Sequence, residues 1–227
     1  NDETRAQRVR DLFDTIAPRY DFINDLQSFG LHRHWKTRLI TLANPAEGQC
    51  ALDLCCGTGD IALALARRGA EVTGIDFSQP MLDQATARDR DASVIFLQGD
   101  ALKNKQPDNH FDLVTIAYGL RNLASVEAGL CEMHRVAKPG GKILVLEFGQ
   151  PPSRFLRFWF HSYLKWAVPI LGKIFCRNAP AYAYIHESLE NYPAQDGVDK
   201  ILRHLGCQET AIHRILGSTM TINVGVK

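Results

Sequence analysis

The sequence lacks a strong charge of either sign. Its 227 residues carry 26 lysines and arginines against 25 aspartates and glutamates, a formal net charge of +1. Global electrostatics therefore give no reason to expect nucleic acid as a partner. A C-x-x-C pair is also missing. The cysteines are Cys50, Cys55, Cys56, Cys131, Cys176 and Cys207, neither spaced for zinc nor dense enough for a disulfide scaffold. Reduced thiols in a cytoplasmic protein, and no metal, are the expectation. The opening "NDETRAQRVRDLF" is polar and amphipathic, with no apolar core of signal-peptide type. No long apolar run is uninterrupted: "FLRFWFHSYLKWAVPILGKIFC" (155–176) is broken by Arg157, His161, Lys165 and Lys173, which a spanning helix does not readily tolerate. Internal repeats and low-complexity segments are absent as well. What is present is 45% hydrophobic, enough for one large domain with a sizeable core.

Within that domain, strand-like and helix-like segments alternate. Strands are expected at 49–56, 70–76, 92–100, 111–120 and 142–148. Helices are expected at 60–70, at 78–91 with Ser78 as N-cap and Pro80 in the first turn, and from Ser125 to a stop at Pro139-Gly140-Gly141. Near-continuous apolar strands in βα units imply a parallel sheet covered on both faces. A last helix over 194–206 precedes two strands with Gly217-Ser218 between them, the expected antiparallel edge. The organisation is thus a helical cap (1–47), a core (48–150), a helical lid insertion (151–193) and a final helix with hairpin (194–227). Cap and lid are expected over the carboxyl ends of the strands, where open α/β sheets bind ligands.

The stretch "LDLCCGTGD" (52–60) holds the most informative turn. Consecutive strand side chains face opposite ways, so Cys55 and Cys56 are poorly placed to share an ion and are expected to pack as small hydrophobes. Gly57, Thr58 and Gly59, between a strand and a helix, let backbone approach a ligand closely. "GTGDIA" also fits a dinucleotide fingerprint, so the alternatives are a nicotinamide cofactor and S-adenosylmethionine. Three acids favour the second. Asp53 precedes the turn, where it can meet a ligand ammonium. Asp76 ends the second strand, where a carboxylate can take ribose hydroxyls. Asp100 ends the third, placed to accept from an adenine amine. Phe77, Ala101 and Ala117 complete the expected cofactor set. This pattern resembles the Rossmann-like (class I) methyltransferases, in which Gly is usual at the position of Cys55.

The flanking segments are more specific. "YDFINDLQSFGLHRHW" (20–35) resembles the first signature of the ubiquinone/menaquinone-biosynthesis C-methyltransferases: Tyr20, Asp21, Asn24, Ser28, His32 and Trp35 fit, while Ile23 and Gln27 depart from it. "RVAKPGGKILVLEFG" (135–149) resembles the second signature, with Gly149 replacing a usual serine. "YGLRN" (118–122) and "AYAYIHESLENYP" (181–193) are further points of likeness. The resemblance runs from about Val9 to Lys227 and implies S-adenosylmethionine-dependent methylation of a ring carbon on a polyprenylated quinol. The "LDLCCGTGD" form and the terminal "GVK" lie nearer the naphthoquinone branch than the benzoquinone branch. A small-molecule O- or N-methyltransferase, a nicotinamide oxidoreductase and a binding or scaffold subunit of the same fold are the alternatives.

The implied chemistry points to residues. An aromatic carbon attacks a sulfonium methyl only once a neighbouring hydroxyl is ionised, so the protein must align the two carbons, favour the phenolate and exclude water. Arg121, after the fourth strand, is the candidate for stabilising the phenolate; it stays protonated, which suits electrostatic help better than a base role. The alternative is that it caps the strand end through carbonyls or pairs with a surface acid. Tyr20 is placed to orient a water or the cofactor. His32 is a candidate base, its ordinary pKa being near neutral; the alternative is a polar face residue on an N-terminal helix. The aromatic stretch 155–176 reads as a packed lid helix and also as a surface for a prenyl tail or the bilayer, with aromatics and snorkelling cations suited to transient membrane contact. The sequence leaves the oligomeric state open, a homodimer included.

Overall fold

The computed structural model describes residues 2–170, 188–189 and 192–227. Seven strands form one sheet: β1 (Cys50–Leu54), β2 (Glu71–Asp76), β3 (Val94–Gln98), β4 (Phe111–Ala117), β5 (Ala137–Phe148), β6 (Glu209–Ile215) and β7 (Met220–Val226), in the order β3-β2-β1-β4-β5-β7-β6. The first five are parallel, and β7 runs antiparallel to both β5 and β6. The expected α/β, mostly parallel, seven-stranded Rossmann-like sheet is what forms. The hairpin is its edge, but β7 inserts next to β5, leaving β6 outermost.

Period-two alternation sends the sheet's apolar residues into two cores. Ala51, Leu144 and Leu146 pack with Trp35, Leu39 and Ile61 on one face. Leu52, Leu54, Ile143 and Val145 pack with Leu130, Met133, Val198 and Leu202 on the other. The first face is covered by α3 (Leu31–Ala43) and α4 (Asp60–Ala66), the second by α6 (Val126–Val136) and α8 (Ala194–His204). α5 (Gln79–Arg88) begins as expected, Ser78 Oγ accepting from the Met81 N–H, and stops three residues early.

Several other boundaries differ from expectation, and two of them have a local backbone cause. β1 stops at Leu54 rather than at 56, because Cys55 takes the left-handed region (φ 53°) and turns the chain out of the sheet. α6 stops at Val136, and the Pro139-Gly140-Gly141 stretch lies inside β5, as an irregularity in its pairing with β4. Lys138 precedes a proline and is pushed towards extended backbone, and Gly140 supplies φ 80°.

The segment before β1 consists of α1 (Asp2–Ile16), a 3-10 turn (Ala17–Arg19), α2 (Tyr20–Ser28) and α3. α1 is tied to the sheet's carboxyl end, Arg10 donating to Phe77 O at 2.9 Å and Ser78 Oγ donating to Asp14. In the lid region α7 (Arg154–Ser162) runs into a π-helical turn (Tyr163–Ala167). Residues 171–176 and most of 181–193 lie outside the described residues. No helix among the described residues is long and apolar enough to cross a membrane.

Candidate active site

The strand order reverses between β1 and β4, and a cleft of about 570 Å³ opens at their carboxyl ends. Gly57 forms part of its wall with φ 54°, and a Cβ there would meet only Tyr20 Cε1, at 3.9 Å. The Gly57 N–H donates to Asp76 Oδ2 at 2.8 Å, and the Ser78 N–H to Oδ1 at 2.9 Å. Asp76 therefore braces the loop after β1 from the end of β2. Burial lifts its carboxyl to about 6 in spite of those N–H donors. Asp100 is exposed on the same wall and caps the next turn, accepting from the Leu102 N–H at 2.9 Å. Phe77, Ala101 and Ala117 line the cleft too.

Asp53, Thr58 and Gly59 do not line it. Asp53 pairs with Gly74 and Thr115 across the sheet, two rungs below Asp76, so the three acids do not share one level. Its Oδ1 accepts from Thr115 Oγ1 at 2.7 Å. Burial pushes the carboxyl up to about 7, against that bond and one from the Ala62 N–H. Thr58 donates to Asp21 Oδ1 at 2.9 Å. Gly59 has a packing reason to lack a side chain: a Cβ there would lie 3.1 Å from both Ala85 Cβ and the Phe96 ring, so its bare α-carbon lets α5 and β3 pack against the loop.

The two thiols diverge. A Cβ at Gly119 would fall 2.5 Å from Cys55 Cβ and 2.9 Å from its Sγ, while one at Gly74 would fall 3.1 Å from Cys56 Sγ. Each thiol thus fills space beside a glycine, and burial raises both well above the ordinary cysteine range. Cys55 accepts the left-handed position where glycine is more at ease, and Gly119 makes room for it. Among the described residues no group of three His, Cys, Asp or Glu side chains is arranged to hold a metal.

A second space, an apolar chamber of about 240 Å³, lies under the cap. Leu12, Ile16, Ile23, Trp35, Phe148, Phe160 and Leu164 wall it. It meets the cleft at Phe13, Tyr20 and Tyr118, which line both. Arg121 and His32 also face it. Arg121 is held firmly: Nη1 donates to Glu147 Oε1 at 2.6 Å and to Tyr118 O at 2.8 Å, and Nε donates to Ser188 Oγ at 3.2 Å. Its guanidinium stands 4.9 Å from the Phe148 ring centroid. Burial raises Glu147 above the usual carboxylate range, with Arg121 working against it. His32 is buried in the first turn of α3, Nδ1 lying 2.9 Å from Ser28 Oγ. Burial, followed by Lys36, lowers its pKa, so the ring is neutral at neutral pH.

The signature residue Asp21 joins cap to loop. It accepts from Thr58 and from Arg88, whose other nitrogen reaches Asp60; Lys36 meets Asp60 at 2.6 Å. Burial disfavours the Asp60 charge, yet Lys36 and Arg88 hold the carboxyl down at about 2.

Sequence reasoning brought Arg121, Tyr20 and His32 to one chamber but missed Tyr118, Asn24 and Glu147. Tyr118 has φ 59° and a buried Oη without a hydrogen-bond partner; Asn24 Nδ2 and Asn122 Oδ1 are similarly unpaired. Tyr118 and Asn24 sit inside the quoted signatures, and the lone acid in "ILVLEF" was the available sign of Glu147. Together the glycine cradle at 57, the carboxylates of Asp76 and Asp100, and unpaired Tyr118 Oη and Asn122 Oδ1 fit S-adenosylmethionine, which has polar groups along its length and no pyrophosphate.

The comparisons agree with this geometry. A demethylmenaquinone methyltransferase of Thermus thermophilus is 43% identical over 199 residues, covering 86% of this chain and 90% of that one. A ubiquinone/menaquinone biosynthesis C-methyltransferase of Azotobacter vinelandii is 36% identical over 230 residues, covering 98% and 91%. Among solved structures, an S-adenosylmethionine-dependent methyltransferase from Thermotoga maritima superposes with a TM-score of 0.68 at 15% identity, over 95% of this chain and 98% of that one; at that identity it speaks for the fold. The family match spans residues 1–227, and the chain belongs to the ubiE/COQ5 methyltransferase family.

Proposed function

We propose that the chain transfers the methyl group of S-adenosylmethionine to a ring carbon of a polyprenylated quinol, of the demethylmenaquinol type. The observation that carries this reading is the junction of a polar, glycine-cradled cleft with an apolar chamber at Phe13, Tyr20 and Tyr118. A charged cofactor and an apolar ring are then held edge to edge, the arrangement a methyl transfer between them needs. Membership of a methyltransferase family sets aside the nicotinamide reading. S-adenosylmethionine supplies an electrophilic methyl group when bound. Asp76, Asp100, Phe77, Ala101, Ala117 and Gly57 hold it, with Asp53, Thr58 and Gly59 supporting the loop from beneath. Arg121, fixed by Glu147, lends positive charge to the chamber and favours the quinolate. Tyr20 and Tyr118 close the junction and keep water from it, and His32 takes the hydroxyl proton.

The partner surface follows from the same chemistry. Phe155, Phe158, Trp159, Trp166 and Ile170 are 74, 66, 57, 65 and 56% exposed along α7 and its extension, while Phe160, Leu164 and Val168 of the same segment face the chamber. Exposed Arg154 and Lys165 interleave with those aromatics. We assign this row to transient contact with the bilayer that carries the quinol, in preference to a homodimer interface. The test of function is labelled S-adenosylmethionine with matched naphthoquinol and benzoquinol acceptors, followed by product mass analysis. A C-methylated naphthoquinol is the expected product; methylation of the benzoquinol alone moves the chain to the other branch, and no C-methylation overturns the reading.

A further inference from the structure

We propose that Ser28 is a positioning residue: it holds His32 in the tautomer protonated at Nδ1, leaving Nε2 as the chamber's acceptor for the quinol hydroxyl proton. This rests on the methyl-transfer reading above.

The hydrogen-bond bookkeeping around Ser28 Oγ fixes the tautomer. Oγ lies 2.6 Å from Asn24 O, 2.9 Å from His32 Nδ1 and 3.2 Å from the His32 backbone nitrogen. A hydroxyl has one proton and two acceptor sites. Asn24 O carries no proton, so the shortest contact consumes the hydroxyl hydrogen. The two contacts to His32 must then both be donated by His32, one from its backbone N–H and one from Nδ1–H. That backbone N–H is among the first four of α3, which have no partner inside the helix; Ser28 satisfies it and orients the ring in one arrangement. Asp25 Oδ1, 3.7 Å from Nδ1, favours a proton on the same nitrogen. The ring edge turned from Ser28 carries Nε2, for which the described residues provide no hydrogen-bond partner, and His32 is part of the chamber wall.

The charges facing the ring come from three helices: Asp25 on α2, Lys36 and Arg33 on α3, and Asp60 on α4. Lys36 and Arg33 oppose protonation and the two aspartates favour it, with burial the largest influence and against it.

The proton accounting closes. The hydroxyl O–H bond breaks with its electron pair kept by oxygen, and Nε2 takes the proton to give an imidazolium. The oxygen pair moves into the ring, and the ring carbon forms its bond to methyl as the S–C pair returns to sulfur. The hydrogen displaced from that carbon returns to the oxygen and restores the aromatic hydroxyl. His32 passes its proton to solvent, so one proton is released per methyl transferred.

The test pairs a spectrum with a pH–rate profile. Two-bond ¹H–¹⁵N correlation of ¹⁵N-histidine-labelled protein, with the His32 signals assigned by their loss in His32→Gln or their shift in Ser28→Ala, reads the tautomer without any ligand. The wild type is expected to show the Nδ1–H form, and Ser28→Ala a mixture. Ser28→Ala should lower kcat about tenfold with KM near wild type, and move the acid limb of the kcat profile to lower pH, because an acceptor favouring the protonated ring is lost. Ser28→Thr should restore both. A wild-type Nε2–H tautomer, or a Ser28→Ala plateau that falls with the acid limb unmoved, overturns the inference while leaving quinol methylation intact. A protein with the expected spectrum that methylates no quinol overturns the methyl-transfer reading, and the base role with it.

Discussion

Replacing Arg121 by alanine separates what the residue does for folding from what it does for chemistry. The Arg121–Glu147 pair is 8% and 1% exposed, with 2.6 Å between Nη1 and Oε1. Truncating one partner of such a pair costs about 3–5 kcal/mol, because the other charge stays buried. Glu147 keeps the N–H of Phe148 at 2.9 Å and that of residue 121 at 3.4 Å, which places the loss near the lower end, about 3 kcal/mol. For a chain of this length that lowers Tm by roughly 6–12 °C. Adding Glu147→Gln removes the stranded charge and should return most of the loss. The pH dependence carries a sign. The folded-state pKa of Glu147 already exceeds the ordinary 4.5, and without Arg121 it rises further, so the folded state holds a proton that the unfolded chain releases. Stability of the variant is then greatest at low pH and is lost as pH rises through that window. The rate deficit, roughly 10²-fold, should do the opposite and shrink as pH rises, since solvent base then makes the quinolate unaided. Urea unfolding and kcat measured from pH 6 to 9 on wild type, Arg121→Ala and the double variant decide it. Full stability of Arg121→Ala at pH 8, no relief from Glu147→Gln, or parallel pH trends in stability and rate would refute the reasoning.

Three further outcomes are expected. Asp76→Ala should weaken S-adenosylhomocysteine binding by about 1.5–3 kcal/mol in calorimetry, and wild-type affinity should fall as pH drops below about 6, where this carboxyl takes its proton; unchanged affinity removes Asp76 from the cofactor set. Gly119→Ala should destabilise by about 1–3 kcal/mol through its overlap with Cys55, and Cys55→Gly in the same chain should recover the loss, so a double variant no more stable than Gly119→Ala contradicts the packing account. Changing Phe158 and Trp159 to Ser should leave stability within about 0.5 kcal/mol, since both are exposed, yet reduce flotation with anionic liposomes; equal flotation of variant and wild type counts against the bilayer surface.

Much of this was legible in local sequence. Apolar runs marked the strands, Ser78 and Pro80 marked the start of α5, and the two signatures marked both walls of the chamber. Depth and pairing were not legible. Asp53 looks like Asp76 in sequence, each an acid at the end of an apolar strand, yet the parallel register places it two rungs lower, where it serves Thr115 and α4. The partner of Arg121 is 26 residues away on the neighbouring strand, and no local pattern announces such a contact. The Pro139-Gly140-Gly141 stretch reads as a helix stop because proline and glycine end helices; that β5 had already begun at Ala137 follows from its pairing with Phe111.

The cleft and the chamber share one cover. α1 covers the cleft through Arg10 and Asp14, α2 roofs the chamber, and only the three-residue turn Ala17–Arg19 separates them. Asp21 then latches the roof to Thr58 in the glycine loop. One continuous covering segment therefore serves both spaces, so a displacement of α1 from the cleft is passed to the roof of the chamber through three residues and the Asp21–Thr58 bond.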